Sequence, residues 1–177
     1  MLPREVVEEL GYDALIAVEH DLYRHQDAYD ILHHLHGLGL CVSFRKPAHN
    51  LRTLLDQYNK PHAKIARFID TISKQIGSQL SLPHAIYLSS HDLNELAPVL
   101  ESEVSNLPLG ERFVVMDGLH DLNNLFSEQT ILQFLNFTHD LLRRHRTKML
   151  VFYDPEKMPE SIRTAIHKKA SYVVTLS

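Results

Sequence analysis

Ala14-Leu15-Ile16-Ala17-Val18 runs without a polar side chain, and Glu19-His20-Asp21-Leu22-Tyr23-Arg24-His25-Gln26 follows it directly. The first stretch has the length of a strand and lacks the alternation of a half-exposed one. It reads as a central parallel strand, buried on both faces. The second stretch contains neither glycine nor lysine. A helix-like segment begins near Asp27, so these polar residues lie between a strand and a helix. That is where doubly wound α/β sheets place their ligands.

The same alternation repeats outward. Toward the N-terminus, Pro3 opens a short helix carrying Val6, Val7 and Leu10, with Gly11 as its stop. Toward the C-terminus, Asp27 caps a helix with Ile31, Leu32 and Leu35 on one side, ending at Gly37 or Gly39. Further strands are expected at 40–44, 65–69, 85–88, 113–117, 149–152 and 172–176. Helices are expected at 51–58 (introduced by Pro47 and Asn50), 92–107, 128–146 and 159–170, with 71–81 as loop or frayed helix. Pro98 removes a backbone donor and should kink the helix that holds it. Ile131, Leu132, Leu135, Leu141 and Leu142 recur at helical spacing, and the basic run Arg143–Arg146 suits that helix's negative end. Strands separated by helices imply a mostly parallel central sheet with helices on both faces, and right-handed crossovers leave few topologies. With no internal repeat or linker, residues 1–177 are expected to form one α/β domain.

A chain of 177 residues is long enough to bury roughly 70% of its unfolded surface. The formal charge of −4 gives no basic face for nucleic acid or an anionic membrane, so neither is expected as a partner. The single cysteine, Cys41, excludes an intrachain disulfide and reads as a buried small hydrophobe in a reducing compartment. The acidic residues among the first ten oppose a signal peptide, and no apolar run approaches the ~18 residues of a membrane span. A cytoplasmic location is expected. The thirteen histidines are scattered and read mainly as surface and helix-end positions.

Four phrases carry a resemblance: Leu40-Cys-Val-Ser-Phe-Arg-Lys-Pro-Ala-His-Asn-Leu51, Phe68-Ile-Asp-Thr-Ile-Ser73, Ile86-Tyr-Leu-Ser-Ser-His-Asp-Leu93 and Phe113-Val-Val-Met-Asp-Gly-Leu-His-Asp-Leu122. In this order they resemble the RecA/KaiC branch of P-loop ATPases, particularly the small archaeal KaiC-like proteins. The resemblance implies a three-layer RecA-like α/β fold with Asp117 at the Walker B position, beside a nucleotide's Mg²⁺. It also implies that the strand at 14–18 neighbours 149–152, which neighbours 113–117, so that Tyr153 and Asp154 border the crevice.

Two departures stand against ATPase chemistry. A P-loop needs glycines whose neighbouring N–H groups wrap the phosphates, a lysine for the β/γ-phosphates and a hydroxyl for Mg²⁺. In that register Glu19 and Arg24 replace the glycines, His25 the lysine and Gln26 the hydroxyl residue. Glu19 and Asp21 also bring negative charge, and like charges 4 Å apart repel by about 4 kcal/mol at an effective dielectric near 20. After the second strand, where the family carries a water-activating carboxylate, this chain has Arg45-Lys46. The expectation is a vestigial nucleotide site of Glu19, Asp21, Arg24, His25, Gln26, Arg45, Asp117 and Asp154, with no catalytic residue, cofactor or metal. The expected role is a regulatory or interaction module, self-associating or bound to an active KaiC-like relative. The alternative is a nucleotide-binding ATPase with a remodelled loop using Asp117. A third idea is a small anion held near His20, Arg24, His25 and Arg45.

Other groupings fall short. Ser89-Ser90-His91-Asp92 holds triad residue types, but immediate neighbours cannot converge as a triad must, and Asp92 with Glu95 reads as a helix start. His33, His34 and His36 lack a fourth zinc ligand by spacing. Asp117 and Asp121 could hold a metal, although Asp121 reads better as a cap for the next turn.

Overall fold

The computed structural model describes residues 9–89 and 92–176. The expected helix after Pro3 up to residue 8, and the residues Ser90 and His91, lie outside them. Seven strands form one parallel sheet: β1 (Leu15–His20), β2 (Leu38–Ser43), β3 (Ile65–Asp70), β4 (Ala85–Tyr87), β5 (Arg112–Asp117), β6 (Lys148–Tyr153) and β7 (Tyr172–Leu176). Their spatial order is β4-β3-β2-β5-β6-β1-β7, every pair parallel. The anticipated neighbours are present: Val18 is in register with Phe152 and Asp117 with Phe152.

Helices cover both faces, which makes the architecture the expected three-layer α/β fold. Strand alternation divides the core between them. Leu15, Ala17, Val114, Met116, Met149 and Val151 pack toward α3 (Leu93–Asn106), α4 (Glu128–Arg144) and α5 (Glu160–Lys169). Ile16, Val18, Phe113, Val115, Leu150 and Phe152 pack toward α1 (His25–Ala28) and α2 (Ala48–Gln57). In α4, Ile131, Phe134, Leu135, Leu141 and Leu142 are buried, each contributing about 1.5–3 kcal/mol of burial. Ser127 Oγ accepts the Thr130 N–H at that helix's start, and Arg143 and Arg144 face its negative end. Pro98 lies inside α3, which continues from Leu93 to Asn106.

The segment after β1 departs from the expected helix. It starts at His25, lasts only to Ala28, and tightens into a 3₁₀ helix over Tyr29–His34. Asp27 does not cap it; the residue lies in its first turn and pairs with Arg24. Ala28, Tyr29, Ile31 and Leu32 are all buried. Tyr29 thus adds apolar surface off the Ala28–Ile31–Leu32 stripe, and local packing overrides a weak helical preference. Gly37 then turns into β2 with φ +75°, where an added Cβ would lie 1.8 Å from the Glu111 carbonyl oxygen. No other residue type fits there.

Helix α2 begins at Ala48, three residues before the expected start, because its first N–H is satisfied from another strand. Asp70 Oδ2, at the end of β3, accepts Ala48 N–H at 2.6 Å and Ser73 Oγ–H at 2.7 Å. Asp70 Oδ1 accepts the N–H groups of Ile72 and Ser73 at 2.8 and 2.7 Å. Residues 71–81 carry no helix or strand. No helix among the described residues is long and apolar enough to cross a membrane.

Candidate functional site

The carboxyl ends of β1, β2, β5 and β6 meet around Asp117. Strand alternation decides which side chains gather there. His20 continues the face of Ile16 and Val18, and Asp117 continues that of Phe113 and Val115, so both point toward α1. His25, at the start of α1, completes the group: its Nε2 lies 2.7 Å from Asp117 Oδ1, with side-chain exposures of 2% and 0%. Burial opposes ionisation of Asp117. The His25 charge and hydrogen bond outweigh it, helped by His20 and Lys46, and hold the carboxyl below its ordinary range.

The turn between β1 and α1 is tied by its own carboxylate. Asp21 Oδ1 accepts the N–H groups of Tyr23 and Arg24, both at 2.8 Å. His20 Nδ1 lies 2.8 Å from the Asp21 carbonyl, which makes it the protonated nitrogen, and its ring centroid is 5.2 Å from that of His25. Burial, the largest influence, lowers the His20 pKa. Gln26 Nε2 donates to the Tyr23 carbonyl, closing the turn on itself.

Beyond β5 the chain turns at Gly118, whose φ of +77° and contact with Arg45 leave no room for a side chain. A Cβ there would lie 2.6 Å from Arg45 Cβ. A 3₁₀ helix over Leu119–Asn124 follows, with Asp121 in its first turn. His120, 3% exposed, accepts the Asp154 N–H on Nδ1 at 3.0 Å. Burial first, then the Arg45 charge, lower its pKa to about 4. Asp154 also meets Lys157 Nζ at 3.0 Å, and Asp121 Oδ1 is 3.7 Å from His120 Nε2. Among the described residues, no group of three or more His, Cys, Asp and Glu is arranged to hold a metal ion.

The residues anticipated from sequence therefore divide. His25 and Asp117 are bonded to each other, whereas Arg45 packs at Gly118 and Asp154 bonds His120 and Lys157. Asp21, Arg24 and Gln26 form the turn above. Glu19 is elsewhere: it is strand, not loop, and alternation turns it toward α5. There it accepts from Tyr153 Oη at 2.9 Å and Thr175 Oγ1 at 3.1 Å, and lies 2.9 Å from His167 Nε2. His120 was not anticipated. Its position three residues beyond Asp117 was the only signal, and nothing in the sequence fixes its hydrogen bond to Asp154.

A parallel sheet in this order, with the acidic end of β5 two strands from the turn after β1, is a three-layer RecA-like α/β fold. Solved structures share this fold, among them one of a KaiC-like protein. An uncharacterised protein from Pyrococcus horikoshii, solved in complex with an unknown peptide, superposes with a TM-score of 0.71 at 16% identity, covering 97% of this chain and 81% of its own. A KaiC-like protein from Pyrococcus horikoshii OT3 gives 0.58 at 13%, covering 93% and 72%. The flagellar accessory protein FlaH from Methanocaldococcus jannaschii gives 0.57 at 14%, covering 99% and 78%. No protein-family model matches the chain, and no curated protein matches it.

Proposed function

We propose that this chain is a non-catalytic RecA/KaiC-like domain, spanning residues 1–177, that has lost nucleotide binding and acts as a regulatory or interaction module. The carrying observation is the buried His25–Asp117 pair. It pairs the residue in the register of the P-loop lysine with the one in the register of the Walker B aspartate, 2.7 Å apart. A Mg²⁺–nucleotide does not fit these residues. Asp117 Oδ1 is committed to the His25 ring, which stands in the register of the phosphate-binding lysine, and freeing that oxygen by separating the buried pair costs about 3–5 kcal/mol. The Tyr23 and Arg24 N–H groups already serve the Asp21 carboxylate, so the turn is neutralised from within. Arg45-Lys46 leaves no carboxylate there to activate water.

With ATP chemistry gone, what the fold retains is surface. The Pyrococcus horikoshii protein solved with a peptide supports polypeptide binding on a fold of this type. The partner is a second copy of this chain or an active KaiC-like relative. Light scattering after size exclusion, with pull-down of such a relative, tests the module: a strict monomer with no partner sinks it. Calorimetry with Mg·ATP tests the loss of nucleotide binding.

One observation favours a second reading, an ATPase with a remodelled loop. Asp117 Oδ2 is buried without a hydrogen-bond partner among the described residues, and Lys46 interacts with the same carboxylate. Micromolar Mg·ATP binding that vanishes in Asp117→Asn would establish that reading instead.

A further inference from the structure

Beside the closed His25–Asp117 pair lies a second polar group in which two buried donors, set among the carboxylates of Asp117, Asp121 and Asp154, have no hydrogen-bond partner among the described residues. His120 Nδ1 accepts the Asp154 N–H, so that nitrogen carries no proton and the neutral ring carries it on Nε2. This Nε2–H is buried and has no hydrogen-bond partner among the described residues; Asp121 Oδ1, at 3.7 Å, is beyond hydrogen-bond reach. Arg45 Nη1 is buried and unmatched in the same way. The two belong to one locality. Arg45 Cβ presses on the backbone at Gly118, two residues before His120, and the Arg45 charge acts on His120, His20 and Asp121 alike. Lys46 is adjacent, and Lys157 reaches the same corner through Asp154.

Unmatched buried donors cost about 1–3 kcal/mol each, more where charged. The type of donor selects the ligand. A metal ion needs a lone pair on His120 Nε2, which the bond at Nδ1 denies. An arginine beside a proton-bearing imidazole instead matches the acceptor oxygens of a small anion. His20 Nε2, buried and unprotonated when Nδ1 donates to Asp21, adds an acceptor for an anion that keeps one hydroxyl.

We propose that Arg45 and His120, backed by Lys46 and His20, form a binding site for a small tetrahedral oxyanion of the phosphate class, taken up as the free ion. The site lies at the exit of β5 and takes only His20 from the segment in the P-loop register. It goes beyond the loss of nucleotide binding, because it needs neither a nucleotide nor Mg²⁺.

The test is calorimetry of the full chain with inorganic phosphate and, separately, with sulfate and Mg·ATP, together with ¹⁵N spectra of the histidine side chains. Phosphate should bind and bring a slowly exchanging His120 Nε2–H into view. His120→Asn keeps an acceptor for the Asp154 N–H while deleting Nε2–H, and should weaken phosphate binding about tenfold or more. Arg45→Met should do the same or worse, while thermal melts show both variants folded. Absence of phosphate and sulfate binding at millimolar concentration, or binding that both variants retain, overturns the site. Mg·ATP binding with no response to free phosphate overturns both this site and the loss of nucleotide binding. Phosphate binding without Mg·ATP binding supports both.

Discussion

His25 Nε2 and Asp117 Oδ1, 92 residues apart in the chain, lie 2.7 Å from one another with neither side chain more than 2% exposed. The pair fastens the turn after β1 to the end of β5 across the intervening β6. Removing one partner strands a buried charge, so His25→Ala should destabilise the fold by about 3–5 kcal/mol in urea denaturation. The double variant His25→Leu, Asp117→Leu replaces both with apolar volume and should lose less than His25→Ala alone. Equal or greater loss in the double variant would mean that the two residues do not act as a pair.

Much of the framework was legible because apolar strands announce themselves. Ala14–Val18, Phe113–Met116 and Met149–Phe152 contain nothing that could face water, and their order followed from the family resemblance. The site was less legible because its decisive residues are polar ones in strand conformation. Glu19 and His20 read as loop since charge usually ends a strand. Yet β1 runs through both, and a single step of alternation sends them to opposite faces. Which histidine meets Asp117 depends on where a four-residue helix begins, and periodicity cannot locate an element that short. Asp27 looked like the cap, whereas Asp21 supplies the turn's bonds.

Glu19 stitches β1, β6, β7 and α5 together. Burial raises its pKa, but the bonds from Tyr153, His167 and Thr175 prevail and depress it. A depressed carboxylate contributes stability that is present above its unfolded pKa and lost as pH falls through the lower folded value. Wild-type stability should therefore fall as pH drops below about 4.5, the ordinary glutamate value. Glu19→Gln should start less stable at pH 7 and show a shallower acid limb. Parallel curves from chemical denaturation at pH 3–7 would show that Glu19 contributes nothing through its charge.

His120 titrates in a different window. With its folded pKa near 4 against 6.5 unfolded, the unfolded chain takes the proton first. Its contribution is full above pH 6.5 and is lost as pH falls toward 4, amounting to at most about 3 kcal/mol. The His120 Cε1–H resonance should stay at its neutral position down to pH 5. Comparison of wild type with His120→Asn should show the variant losing less stability between pH 6.5 and 4. A midpoint above 6 would remove both expectations.

Asp70 shows that a phrase suggestive of an enzyme can be structural. It sits in Phe68-Ile-Asp-Thr-Ile-Ser73, 1% exposed, and its two oxygens accept from Ala48, Ile72 and Ser73. Three of those bonds come from backbone N–H groups, so the carboxylate starts α2 and shapes the turn after β3 at once. Asp70→Asn turns one oxygen into a donor facing either the Ala48 N–H and the Ser73 hydroxyl or the N–H groups of Ile72 and Ser73. A buried donor then opposes a donor, and about 2–4 kcal/mol should be lost. Amide exchange locates the damage: Ala48, Ile72 and Ser73 should lose protection in the variant while β1 and β6 amides keep theirs. Uniform loss across the sheet would mean that Asp70 supports the whole core, and unchanged protection at Ala48 would detach it from α2.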